Sequence, residues 1–219
     1  MRRVAWRMIM KFFSVDSPVY KFLSKFLDVV KLNFFWILFS IPVITVGAST
    51  VAAMSVGLKM VDDEEGYSGK NFLKAFKENW KQGTILWVIT VVAVYAIYLD
   101  FQLFEAVDNN PIIFLIIGMA SIALAVVALI YSYPLAARYE NTLINTIQNS
   151  INISRKYLGK TLLLVIVLAV EYIVFNFNKT MLFFGIILGP GFMIFTIAAF
   201  SKRIFQEIEK EPGSTTNKN

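Results

Sequence analysis

Two carboxylates sit where carboxylates are costly. Glu171 lies in the run L-V-I-V-L-A-V-E-Y-I-V-F, and Asp100 near the end of Y-A-I-Y-L-D-F; neither has a base beside it in sequence. An ionised acid in hydrocarbon is penalised, so it normally faces protein or water and has a task. The chemistry that fits is reversible protonation, or a carboxylate held for a polar ligand or partner subunit. Both acids lie beyond mid-helix from the cytoplasmic side, so they could share one outward-facing polar cavity. The plainer reading is an acid satisfied locally by a Tyr or Asn.

Other reaction chemistry is sparse. The chain has no Cys and no His. That removes disulfides, thiolates and imidazole acid–base work, along with the usual zinc sites. No paired-carboxylate motif, G-x-S-x-G or phosphate-binding glycine loop is present. The expectation is a protein without catalytic residues, cofactor or metal. Arg138 ends Y-S-Y-P-L-A-A-R. It suits pairing with Glu140 or a phospholipid headgroup, or simply flanks a span on its positive side.

The elements that position these residues are membrane helices. Hydrophobic residues make up 57% of the 219 and charged residues 16%, and the apolar excess comes in long blocks, the pattern of spans. No clean apolar core of a signal peptide forms at the start, because Arg2, Arg3, Arg7 and Lys11 interrupt it. Residues 1–17 read as a basic segment at the cytoplasmic interface. Ser17 and Pro18 cap and open a helix to about Ser40. Pro42 breaks it. Pro42, Thr45 and Gly47 form a hairpin turn, and a short helix of small residues from about Ala48 to Met60 packs inside the bundle. Further spans fall at about 84–104, 112–134, 159–177 and 181–201. The membrane domain is 18–204, and 205–219 reads as a disordered cytoplasmic tail.

Two amphipathic helices are expected on the cytoplasmic side. In the first, 70–81, Phe72, Phe76 and Trp80 form an apolar stripe that either anchors the bundle or docks a partner. In the second, at 141–152, Leu143, Ile144, Ile147 and Ile151 do the same. Gly185 and Gly189, beside Pro190 and Gly191, have a spacing that lets helices approach closely.

Charge sets the orientation. A hairpin at 40–47 gives six membrane segments with both termini cytoplasmic, and leaves only Lys179 of the 21 Lys and Arg outside. A single crossing there gives five segments and puts seven bases on the wrong side. The second arm is short for a full crossing, so a re-entrant arm stays open. The net charge of +6 is thereby explained without nucleic acid.

The blocks D-S-P-V-Y-K-F-L and D-V-V-K-L-N-F-F-W-I-L-F-S-I-P-V-I-T-V-G-A-S-T-V-A-A-M resemble the signature of the YesL-like family of uncharacterised bacterial membrane proteins. F-L-K-A-F-K-E-N-W-K-Q-G and Y-P-L-A-A-R-Y-E-N-T are similar to its second and third blocks. The resemblance implies a bacterial plasma membrane and genes beside carbohydrate importers of the ATP-binding cassette (ABC) type. The expected function is therefore a non-enzymatic accessory or assembly partner of such an importer. The alternative is a small stand-alone permease with Glu171 and Asp100 lining its path.

Overall fold

The structure, a computed structural model, describes residues 17–62, 69–106 and 112–210. The basic segment expected at 1–17 lies outside these apart from Ser17, and so does the tail from 211. Among the described residues the chain is all helical: α1 Pro18–Ser40, α2 Val46–Val61, α3 Gly69–Ala106, α4 Ile112–Leu129, α5 Ser132–Arg138, α6 Leu143–Lys156, α7 Leu158–Asn176 and α8 Lys179–Lys210. A single 3-10 turn, Val43–Thr45, joins α1 to α2.

Local chemistry explains the ends of α1. The Ser17 hydroxyl accepts from the Tyr20 N–H at 3.1 Å, and Pro18 takes the first turn, where no N–H is needed. Pro42, just beyond its end, cannot continue the helix.

Among the described residues, five stretches are long and apolar enough to cross a membrane: Val43–Val61, Gly69–Ala106, Ile112–Arg138, Leu158–Asn176 and Lys179–Lys210. This fits a multi-pass membrane protein. The first helix is not among them. Its Lys21, Lys25, Asp28 and Lys31 interrupt its apolar residues. The short second helix qualifies by composition but lies inside the protein: 61% of its most apolar window is buried, against 6% for α3 and 11% for α7. Ala48, Val51, Ala52 and Ala53 are fully enclosed. The small residues of α2 let α1, α3, α5 and α8 close around it.

Two expected boundaries fail. Residues 70–81 are not a separate amphipathic helix. They are the first turns of α3, whose 38 residues run unbroken to about 57 Å. The tail does not begin at 205 either. The last helix continues to Lys210, with Ile204 and Phe205 buried. The stretch looked charged because it is pinned by charge. Lys202 pairs with Asp62 and Glu207 with Lys160, while Glu209 pairs with Arg138.

Candidate functional site

The interior is organised by helix interruptions and by the polar groups that repair them. Pro190 sits inside α8, where its missing N–H and its ring weaken the helical ladder. The side-chain amide of Asn33, 1% exposed on α1, meets the helix beside that proline. Its Oδ1 accepts from the Gly191 N–H at 2.8 Å, and its Nδ2 donates to the Ile187 carbonyl. These are the two ends of one rung of the helix. An amide carries both a donor and an acceptor, so it can span such a rung. Only glycine fits at 191, since a Cβ there would lie 2.7 Å from the Asn33 Cβ.

The same arrangement recurs between α4 and α5. The Tyr131 N–H donates to the Ser150 hydroxyl at 3.3 Å, and that hydroxyl donates to the Val127 carbonyl at 3.2 Å. Ser154 adds a second bond to Val127 at 3.0 Å. Pro134 follows three residues on. The inward face of α6 is therefore Thr146, Ser150, Ile153 and Ser154. Of the expected apolar stripe, Leu143 and Ile147 pack half-buried against Val51, Leu86 and Ala136, and Ile144 is exposed. Hydroxyls win the inward positions because a broken helix in an apolar interior must have its backbone groups satisfied.

Pro42 precedes, and Thr45 ends, the 3-10 turn that joins α1 to α2. Thr45 does not cap α2. Its hydroxyl reaches back to the carbonyls of Phe39 and Pro42, each at 2.7 Å. Ser49 donates to the Trp36 carbonyl at 2.9 Å, and the Trp36 indole donates to Thr50 at 3.0 Å. Gly47 lies past the turn, in the first turn of α2, where it permits backbone contact. A Cβ on it would overlap the Gly83 carbonyl, and one on Gly83 would lie 2.6 Å from the Ala48 Cα.

The two acids are not brought together. Asp100 accepts from Ser121 of α4 at 2.7 Å; Glu171 accepts from Thr196 of α8 at 2.5 Å. Each is served within its own helical hairpin, and no extensive packing joins α3–α4 to α7–α8. Each acid finds a hydroxyl on its nearest antiparallel neighbour. Glu171 retains one buried oxygen, Oε2, with no partner.

The remaining candidates are engaged within the chain. Phe72 is fully buried against Phe35 and Phe39, and Phe76 packs on Phe39. Of the expected docking stripe only Trp80 is exposed, with the Lys81 ammonium 5.9 Å from its ring centre. Gly185 and Gly189 are covered by Phe175 from the same chain. Arg138 pairs with Glu209 at 2.8 Å, not with Glu140, and lies 5.6 Å from the ring centres of Tyr139 and Phe205. The Tyr139 hydroxyl donates to Glu209 at 2.7 Å. Burial, reinforced by that carboxylate, pushes the phenol up to about 12, so it stays a donor at neutral pH.

Sequence reasoning missed Asn33, Ser150 and Glu209. A lone Asn within an apolar run, with a Pro-Gly pair elsewhere in the chain, was the available signal.

Residues 29–101 match a family described as "Protein of unknown function, DUF624". The match spans the second half of α1, all of α2 and most of α3, and so holds the hairpin, Asn33 and the Gly47–Gly83 contact. No curated protein and no solved structure matches the chain. Over this third of its length the chain is similar to an uncharacterised family.

Proposed function

We propose that this chain is a non-enzymatic membrane partner, an accessory or assembly subunit, of a carbohydrate importer of the ABC type. It belongs in a bacterial plasma membrane, with six membrane segments and both termini cytoplasmic. One observation carries the partner reading. The apolar windows of α3 and of the α4–α5 stretch are each only 6% buried, and that of α7 11%. Helices so little covered by their own chain have wide apolar faces free for neighbouring spans. The polar groups inside the bundle, by contrast, are mostly spent on repairing its own helices. The importer and the location draw on the resemblance to the YesL-like family, and the orientation on the distribution of Lys and Arg.

The test is co-purification at native expression in a mild detergent. The expected result is recovery of the importer's membrane subunits in fixed proportion. Elution of the chain alone would count against the proposal.

The stand-alone permease draws on a different observation, the unpartnered oxygen of Glu171. Its route would have to do without Asp100, which lies in the other hairpin. Proton-driven uptake by the purified protein in vesicles is the result that would establish it.

A further inference from the structure

We propose that the α1–α2 hairpin is re-entrant, and that its tip, Ile41-Pro42-Val43-Ile44, lies among lipid acyl chains without reaching the far side of the membrane. The proposal rests on the membrane topology above but not on the importer.

Two independent observations support it. The first is surface chemistry. Ile41 and Val43 are 70% exposed and Ile44 64%. No charged residue occurs between Lys31 and Lys59. Phe34, Ile37 and Leu38 extend the exposed apolar face back along α1. A turn emerging into water would carry polar side chains outward. This one turns its single polar residue, Thr45, inward.

The second is the backbone. The carbonyls in the last turn of a helix have no intrahelical partner and are commonly satisfied by water. Here the Phe39 carbonyl is taken by Thr45, as is that of Pro42, which also accepts from the Thr45 N–H at 2.8 Å. Irregular backbone at membrane depth requires such internal partners.

In that arrangement the hairpin enters and leaves on the side of residues 69–83, and full crossings are left to α3, the α4–α5 stretch, α7 and α8.

The chain has no Cys, so single cysteines report without background. Val43→Cys, Lys77→Cys and Asp108→Cys are compared in right-side-out and inverted vesicles with a membrane-impermeant maleimide. Val43→Cys is expected to resist labelling from both faces and to react after detergent denaturation. Lys77→Cys should label from the cytoplasmic face and Asp108→Cys from outside. An environment-sensitive fluorophore attached to the thiol of the Val43→Cys variant, in vesicles of the isolated protein, should be quenched more by acyl-chain-brominated lipid than by a headgroup quencher. Labelling of Val43→Cys from outside would show a full crossing and overturn the proposal. Labelling from inside, or no acyl-chain quenching, would place the tip in water or under protein and overturn it equally. Labelling of Asp108→Cys from inside alone would instead strike the topology, and with it the side assigned to the hairpin.

Discussion

Asn33→Leu is the substitution whose effect follows most directly from the structure. Leucine is close to asparagine in shape, so packing around α1 should change little. What is lost is a donor and an acceptor, which together serve the Gly191 N–H and the Ile187 carbonyl. A buried backbone group left without a partner costs about 1–3 kcal/mol. Two such groups would give roughly 2–6 kcal/mol by that scale. The two are each other's natural helical partners, so partial closure of the rung recovers some of this. Interhelical hydrogen bonds in membranes also average only about 0.6 kcal/mol. The expected loss is therefore about 2–3 kcal/mol, toward the low end of that range. It would be read as a lower midpoint in reversible unfolding by dodecyl sulfate in mixed micelles, followed by circular dichroism. Asn33→Asp should be worse than Asn33→Leu, because it turns an oxygen toward the Ile187 carbonyl. Asn176→Leu, at the exposed end of α7, should shift the midpoint by less than about 0.5 kcal/mol, as exposed sites do. If Asn33→Leu is as stable as the parent, Asn33 is not repairing α8 and the reasoning is wrong.

Other contacts make further demands. Gly47→Ala and Gly83→Ala should each sharply lower the yield of folded protein by forcing α2 and α3 apart. Gly159→Ala, where a Cβ meets nothing within 4 Å, should be neutral or stabilising by up to about 1 kcal/mol; equal yields for all three would remove the close-approach argument. A double-mutant cycle on Arg138 and Glu209 should give a coupling of about 0.5–1 kcal/mol that falls with salt. Arg138→Lys should not restore it, because lysine cannot reproduce the planar contact with Tyr139 and Phe205. Glu171→Gln should leave the protein folded, since the amide oxygen can still accept from Thr196. A collapse of helicity in detergent would show that the ionisable group itself is required there.

Much of the fold was legible in the chain because the signals are local. Ser17-Pro18 gives the start of α1, Pro42 its end, and the small residues of α2 their own burial. The continuity of α3 was not legible, since a lysine-rich stretch followed by an apolar one reads as two elements. Phe35 and Phe39, which pack on Phe72 and Phe76, belong to another helix, and no local pattern announces them. The site was the least legible part. Glu171 and Asp100 stood out by being costly, yet each is served within its own hairpin. The residues that hold the broken helices, Asn33 and Ser150, are neutral and small. Their partners lie 158 positions away for Asn33 and 19 for Ser150, and only the folded packing brings them together.

Whether this chain works as a partner within a larger membrane assembly can be decided by a quantitative pull-down of the tagged chain from native membranes, with the recovered membrane proteins measured by mass spectrometry. The expected recovery is the membrane subunits of a carbohydrate importer in constant ratio to the chain, retained through a second purification step. Recovery of the chain without them, together with proton-driven sugar uptake by that same material in vesicles, would contradict the partner reading.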